Sequence, residues 1–309
     1  MTIAASYWPR TLDDQRYPVT AKLFQTEPDV KVLVVSQQPR GHRRGEVILV
    51  HGLEGSSDAG YMRSMAHAAL ENGFAAHRVN LRGCGGTEFL SKTLYHAGLT
   101  ADVFALLMDL DRQRRTPAFL VGYSLGGNVV TKLAGELGDD ARRLIAGVCA
   151  VSNPLDLLAC ARKLEAPGNR LYQWGFVASM KRRLKLRHRA MPGSFPIDGL
   201  NGVRTVYQFD DRITAPAFGF RGAEHYYGTQ SSKGYLDAIR VPALFIQAKD
   251  DPMIPFEVFD HPAFSQNRNL RLVAADHGGH VGFLSRGLPR IWSDCVILEW
   301  MLETAAKWE

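Results

Sequence analysis

The sequence predicts an α/β fold: a mostly parallel central sheet flanked by helices and interrupted by an inserted helical lid. Three observations carry this expectation. Short apolar runs alternate with stretches of helical periodicity between residues 47 and 151, which implies parallel strands covered on both faces. The alternation stops over 154–236, where helical and aromatic-rich segments occur without a convincing central strand. It then resumes with two apolar runs and a closing helix. A core of residues 1–153 and 237–309, with 154–236 as an inserted lid, fits this order better than two domains in series.

Each element follows from its own stretch. Residues 19–24 and 31–36 are β-branched-rich runs around Glu27-Pro28-Asp29, the pattern of an antiparallel pair joined by a turn. Residues 47–50 (VILV) form a compact strand, followed by a glycine loop and a helix over 60–71. A strand over 74–79 leads into the loop NLRGCGG. The helix over 101–112 places Val103, Leu106, Leu107 and Leu110 on one face. A strand over 118–121, a helix over 125–137 and a strand over 144–151 complete the first half. After the insertion, strands are expected at 243–247 and 270–274, with a helix from about 289 to 307.

Composition narrows the function class. The 309 residues are 46% hydrophobic and 22% charged, which excludes wholesale disorder, a collagen-like repeat and a coiled-coil rod. No apolar run approaches the roughly 18 residues of a spanning helix. The first fifteen residues lack the basic start and apolar stretch of a secretory signal. Cys84, Cys149, Cys160 and Cys295 form no C-x-x-C pair, so free thiols in a reducing cytoplasm are expected. Net charge is +6, yet residues 181–189 (KRRLKLRHR) carry six cations and no acid, leaving 31 against 31 elsewhere. So local an excess does not point to nucleic acid. The expectation is a solvated lid face, and the alternative is weak peripheral contact with an anionic inner membrane.

Gly122-Tyr123-Ser124-Leu125-Gly126 is G-x-S-x-G, placed after the apolar run AFLV and at the start of a helix. That is the context of a nucleophile elbow, with glycines that allow a strained turn. A serine hydroxyl needs an adjacent base. Asp276-His277-Gly278-Gly279-His280, after the last strand, offers His277 and His280. The acid that orients the imidazole should end an earlier strand, and Asp250-Asp251 offers two candidates. A tetrahedral oxyanion needs two backbone N–H donors. Leu125, after the serine, and Leu53, in the early loop His51-Gly52-Leu53-Glu54-Gly55, are placed to supply them. A metal shared by His51, His277, His280 and Asp251 is disfavoured by their spacing. The dinucleotide fingerprint and the P-loop pattern are absent.

The stretches HGLEGSS, NLRGCGG, VGYSLGGN, FDDRITAPAFGF, HYYGTQSS, VPALFIQAKDDPMIP and HGGHVGFL span residues 51–284. Together they resemble the YheT-like branch of the α/β-hydrolases, which includes bacterial esterases and α/β-hydrolase-domain lipid hydrolases of animals. The resemblance implies the α/β-hydrolase fold, with Ser124 as nucleophile, Asp251 as triad acid and His280 as base. It implies a carboxylic ester hydrolase acting on a small-molecule or lipid ester through an acyl-enzyme, with no cofactor and no metal. The rival readings are an acyltransferase using the same triad and a non-catalytic adaptor for an anionic surface. The chain departs from the family at its N-terminus, where the His-Leu-Gln-Thr and Asp-Gly-Asp motifs are not found.

Overall fold

Eight strands form one sheet in the computed structural model, which describes residues 12–307 apart from 196, 286, 288 and 289. The strands are β1 (Thr20–Glu27), β2 (Val30–Gln37), β3 (Gly45–Val50), β4 (Phe74–Val79), β5 (Ala118–Tyr123), β6 (Ile145–Val151), β7 (Ala243–Ala248) and β8 (Leu270–Ala275). The main helices are α1 (Gly60–Glu71), α2 (Ala101–Arg112), α3 (Leu125–Leu137), α4 (Leu157–Leu164), α5 (Arg170–Ala190), α6 (Ala223–Gln230) and α7 (Trp292–Ala305). Strand order is β1-β2-β4-β3-β5-β6-β7-β8. The β1–β2 and β2–β4 pairs are antiparallel, and all the others are parallel. The expected mostly parallel sheet is present.

Strand alternation divides the core. Val47, Leu49, Phe119 and Val121 join Met62, Met65, Ile297 and Met301 on the face covered by α1 and α7. Ile48, Val50, Leu120 and Val148 face α2 and α3 through Val103, Leu107, Val129 and Leu133. Successive side chains point to opposite faces, so near-continuous apolar strands feed both layers. Boundaries differ from expectation where hydropathy is silent. In the first hairpin Glu27 pairs with Val30, leaving Pro28-Asp29 as the turn, with Asp29 at φ 61°. Leu144 closes a one-turn helix (Ala141–Leu144) ahead of β6. The last helix starts at Trp292. Its expected start at 289 lies outside the described residues, as do residues 1–11, on which most of the signal reading falls.

Between the hydrogen-bonded neighbours β6 and β7 the described residues form helices and turns only. Here the reading of the basic segment is corrected. Residues 181–189 lie within α5, whose buried stripe is Gln173, Val177, Met180, Leu184 and Arg187. That spacing is helical, but a glutamine and an arginine within it conceal it from hydropathy. Arg187 is 1% exposed and the Arg183 side chain 16%. Of the six cations, Arg182, Lys185 and Arg189 are exposed, Lys181 and Arg183 are half-buried and Arg187 is buried.

Candidate active site

Ser124 sits between β5 and α3 at φ 51°, ψ −122°. Such backbone costs an L-residue on the order of 1–3 kcal/mol and persists only where its surroundings enforce it. They do so here by steric exclusion. A Cβ on Gly122 would lie 2.2 Å from the Gly126 carbonyl oxygen, and one on Gly126 would lie 2.3 Å from that of Val50. The Ser124 N–H donates to the Val151 carbonyl at 2.9 Å, tying the elbow to the sheet.

Two loops bring the partners. His280 Nε2 lies 2.8 Å from Ser124 Oγ, and its Nδ1 lies 2.9 Å from Asp251 Oδ2. Asp251 Oδ1 accepts the Met253 and Ile254 amides at 2.8 and 3.2 Å, and Gln247 Nε2 donates to Oδ2 at 3.2 Å. Burial alone would raise this carboxyl. The adjacent His280 ring and these donors outweigh it and hold Asp251 below the usual aspartate range. The carboxylate therefore accepts from Nδ1–H, leaving Nε2 to accept from the serine hydroxyl.

Asp250 and His277 stay outside this chain of bonds. Asp250 Oδ1 instead accepts the backbone N–H groups of Gly278 and Gly279 at 2.8 and 2.7 Å. Its neighbour His277 is 82% exposed. The two adjacent acids thus serve one loop, Asp251 through the ring and Asp250 through the backbone. A second brace comes from Ser152, whose hydroxyl accepts the Val281 N–H at 3.0 Å. Val281 has φ 57°, an outlier for a β-branched residue. Sequence reasoning missed both braces. Alternation through Asp250-Asp251 hinted at the first, and nothing local marks the second.

The early loop packs directly on the serine: a Cβ on Gly52 would lie 3.0 Å from Ser124 Cβ. His51 Nε2 accepts the Leu81 N–H at 3.1 Å, so Nδ1 carries the proton and donates to the Gly52 carbonyl at 2.8 Å. Burial pushes this imidazole down to about 4, so it stays neutral and braces the loop. No cluster of three or more metal-ligating side chains occurs among the described residues. Glu54, at φ 60°, accepts from Tyr95 Oη at 2.9 Å, Ser179 Oγ at 3.1 Å and Arg183 Nε at 2.9 Å. The Glu54–Arg183 ion pair links this loop to α5.

Leu53, Leu125, Ser124 and His280 border a cavity of about 140 Å³. The insertion lines it with Leu157, Leu164, Phe176, Met180 and Phe209. An apolar pocket with a few convergent polar groups is the usual form of a small-molecule site. A hydroxyl bonded to an imidazole, itself held by a buried carboxylate, has the geometry for nucleophilic acyl substitution.

Comparison with known proteins assigns the chain to a family. A sequence profile of the alpha/beta hydrolase fold matches residues 46–286. YheT of Escherichia coli (strain K12), an esterase by name, is 33% identical over 290 residues, covering 92% of this chain and 84% of that protein. A monoacylglycerol lipase of Saccharomyces cerevisiae is 30% identical over 255 residues, covering 80% of this chain. The alignment takes in 56% of that lipase, so the chain spans little more than half of its length. The solved esterase Pf2001 of Pyrococcus furiosus superposes with a TM-score of 0.64 at 15% identity, over 96% of this chain and 97% of that one. That likeness speaks to the fold alone. The profile match and the bacterial relative together identify this chain as a member of the α/β-hydrolase family, in its YheT-like branch.

Proposed function

We propose that the chain is a carboxylic ester hydrolase that works through an acyl-enzyme on Ser124. The observation that carries this reading is the continuous Ser124–His280–Asp251 hydrogen-bond chain at the edge of an apolar cavity. His280 Nε2 takes the hydroxyl proton as Ser124 Oγ attacks the ester carbonyl carbon, and Asp251 stabilises the imidazolium. The oxyanion receives the backbone N–H groups of Leu53 and Leu125. Leu125 opens α3, where first-turn amides lack intrahelical acceptors. Collapse of the intermediate expels the alcohol, which takes the proton from His280. The same histidine then deprotonates a water that attacks the acyl-enzyme and releases the acid. These steps call on no cofactor or metal.

The apolar walls suit a small-molecule or lipid ester, with residues 154–236 acting as the lid. A cytoplasmic location belongs to the proposal, supported by four unpaired cysteines. No helix among the described residues is long and apolar enough to cross a membrane. Weak contact with an anionic membrane through 181–189 is narrowed to the outer face of α5. There Leu171 and Trp174 are 77% and 72% exposed, on the same helix as the exposed Arg182, Lys185 and Arg189. Aromatic and basic side chains of this kind favour a charged lipid interface. Co-sedimentation with anionic vesicles at low salt, lost on changing those three cations to Gln, tests it.

The central test is labelling by a fluorophosphonate together with hydrolysis of a short-chain p-nitrophenyl ester. Both should vanish in Ser124→Ala. Unlabelled native protein would favour an adaptor. Product analysis with added alcohol separates hydrolysis from acyl transfer.

A further inference from the structure

Four charged side chains line the cavity beside Ser124 and take no part in the steps above: Glu54, Arg82, Arg183 and Arg187. Two of the arginines are engaged by the protein around them. Arg82 forks onto Asp102 at 2.8 and 2.9 Å and onto Glu27 at 2.7 and 3.1 Å. Arg187 Nη2 donates to the Ser91 and Thr93 carbonyls, and its guanidinium lies over the Phe195 ring. Glu54 and Arg183 instead meet each other, one from the early loop and one from α5. The backbone at Glu54 gives that pair a purpose.

The Gly55 N–H donates to the Gly52 carbonyl at 3.0 Å, so Leu53 and Glu54 are the central residues of a β-turn. φ is positive at Glu54 (60°) and not at Leu53, the pattern of a type II turn. The second central position of such a turn favours glycine or asparagine, because a Cβ there crowds the following carbonyl. The core holds the first half of the turn. The Gly52 N–H donates to Tyr61 Oη at 3.1 Å, and the Gly52 carbonyl accepts from His51 at 2.8 Å. The second half is held through Glu54. Tyr95 Oη accepts the Glu54 N–H at 3.1 Å and donates to Oε1 at 2.9 Å. Burial pushes this phenol up, so the hydroxyl keeps the proton it donates. From α5, Arg183 Nε donates to Oε2 at 2.9 Å, Nη2 reaches the Glu54 carbonyl at 3.4 Å and Nη1 donates to the Gly83 carbonyl. Ser179 Oγ adds a bond to Oε2 at 3.1 Å. The Glu54 side chain is 8% exposed.

A carboxylate thus does for this turn what a missing Cβ does elsewhere: it makes the left-handed conformation the stable one. We propose that Glu54 and Arg183 are positioning residues, whose ion pair holds Glu54 left-handed and so keeps the Leu53 N–H aimed at the oxyanion. Leu53 borders the cavity with Ser124, and its N–H has no acceptor among the described residues. Relaxation of Glu54 to negative φ flips the Leu53–Glu54 peptide or opens the turn. Displacing a catalytic group by about 1 Å costs up to about 10²-fold in rate. Helix α5 therefore acts on the chemistry through the loop backbone as well as walling the cavity. This rests on the ester-hydrolase reading and adds to it the groups that set its oxyanion donor.

The test removes the acid in three ways and reads kcat on a short-chain p-nitrophenyl ester. Glu54→Ala should lower kcat about tenfold, since alanine keeps the Cβ and loses the clamp. Glu54→Gly deletes the same carboxylate but adopts positive φ freely, and should stay at least about fivefold faster than Glu54→Ala. Glu54→Asn, whose short side chain tolerates left-handed backbone, should fall between them. Arg183→Met, with the acid in place, should be as slow as Glu54→Ala, and adding Glu54→Gly should raise it to the Glu54→Gly level. This second pair decides the matter if Glu54→Ala does not fold. A side chain that only anchored α5 or bound substrate would be missed equally in the alanine and glycine variants. Equal kcat in those two, or no recovery in the double variant, overturns the positioning role and leaves the ester-hydrolase reading standing. A native chain that hydrolyses no ester, with Ser124 unlabelled by fluorophosphonate, overturns that reading and the positioning role with it.

Discussion

The loop after β7 and the π-helical turn over 210–214 each bury an aspartate, and the two carboxyls are shifted in opposite directions. Asp251 is 2% exposed and Asp210 8%, so desolvation is nearly matched. Asp251 receives an imidazole N–H that becomes a cation, two backbone amides and a glutamine amide. It lies below the usual aspartate range. Asp210 receives neutral hydroxyls and is pushed up to about 6. Partner chemistry, not depth, sets the direction of the shift. The core loop completes its ion pair within the protein, whereas Asp210 borders the cavity with neutral partners.

The largest expected effect lies on the core side. Asp251→Asn should lower kcat on the order of 10⁴-fold, because an amide cannot hold the imidazole in the right tautomer or stabilise its cation. Asp210→Asn should stay within about tenfold on a p-nitrophenyl ester. Comparable losses in the two variants would erase the distinction. Because the base must be neutral, native kcat/KM should rise from pH 5 to 8, and a flat profile would remove His280 from that role.

Stability should move in opposite directions at the two sites. Burial raises the folded-state value of Asp210 above the ordinary aspartate value of 3.8. Its ionisation therefore costs stability as pH rises from about 4, and the cost is complete above about 6. Asp210→Asn should raise the melting temperature at pH 7.5 and leave it unchanged near pH 4. The folded value of Asp251 is depressed, so its contribution is present above the unfolded value and is lost as pH falls through the folded one. Asp251→Asn should accordingly lower the melting temperature at pH 7.5. Melting curves across pH 3 to 8 read both signs.

The smallest effect separates Asp251 from its neighbour. Asp250→Ala removes the acceptor of two loop amides and should lower kcat about tenfold with KM little changed, through misplacement of His280. Asp250→Asn retains an acceptor oxygen and should restore activity to within about threefold of native. An Asn variant as impaired as the Ala variant would mean that the charge, and not the hydrogen bonds, is what Asp250 supplies.

Much of this comparison was legible in the chain as pairs and not as choices. Gly122, Ser124 and Gly126 could be read directly, because an elbow is built by neighbours within five residues. Asp250-Asp251 and His277 with His280 were visible only as alternatives, which resemblance to a family narrowed. The structure joins Asp251 and His280 to the serine and reveals that Asp250 braces the loop backbone. The basic segment misled because hydropathy treats every arginine as solvent-facing.

By itself the sequence determined the strand-and-helix alternation and the strained serine turn, both of which arise from local periodicity and local sterics. Only the tertiary structure decided which cations turn inward. Arg183 does so for Glu54, 129 residues away, and Arg187 for the carbonyls of Ser91 and Thr93, 96 and 94 residues away. It also brought Tyr226 edge-on to His96 and the Tyr227 hydroxyl onto Asp210. Those contacts are set by chain packing over long separations, where no local pattern records the partner.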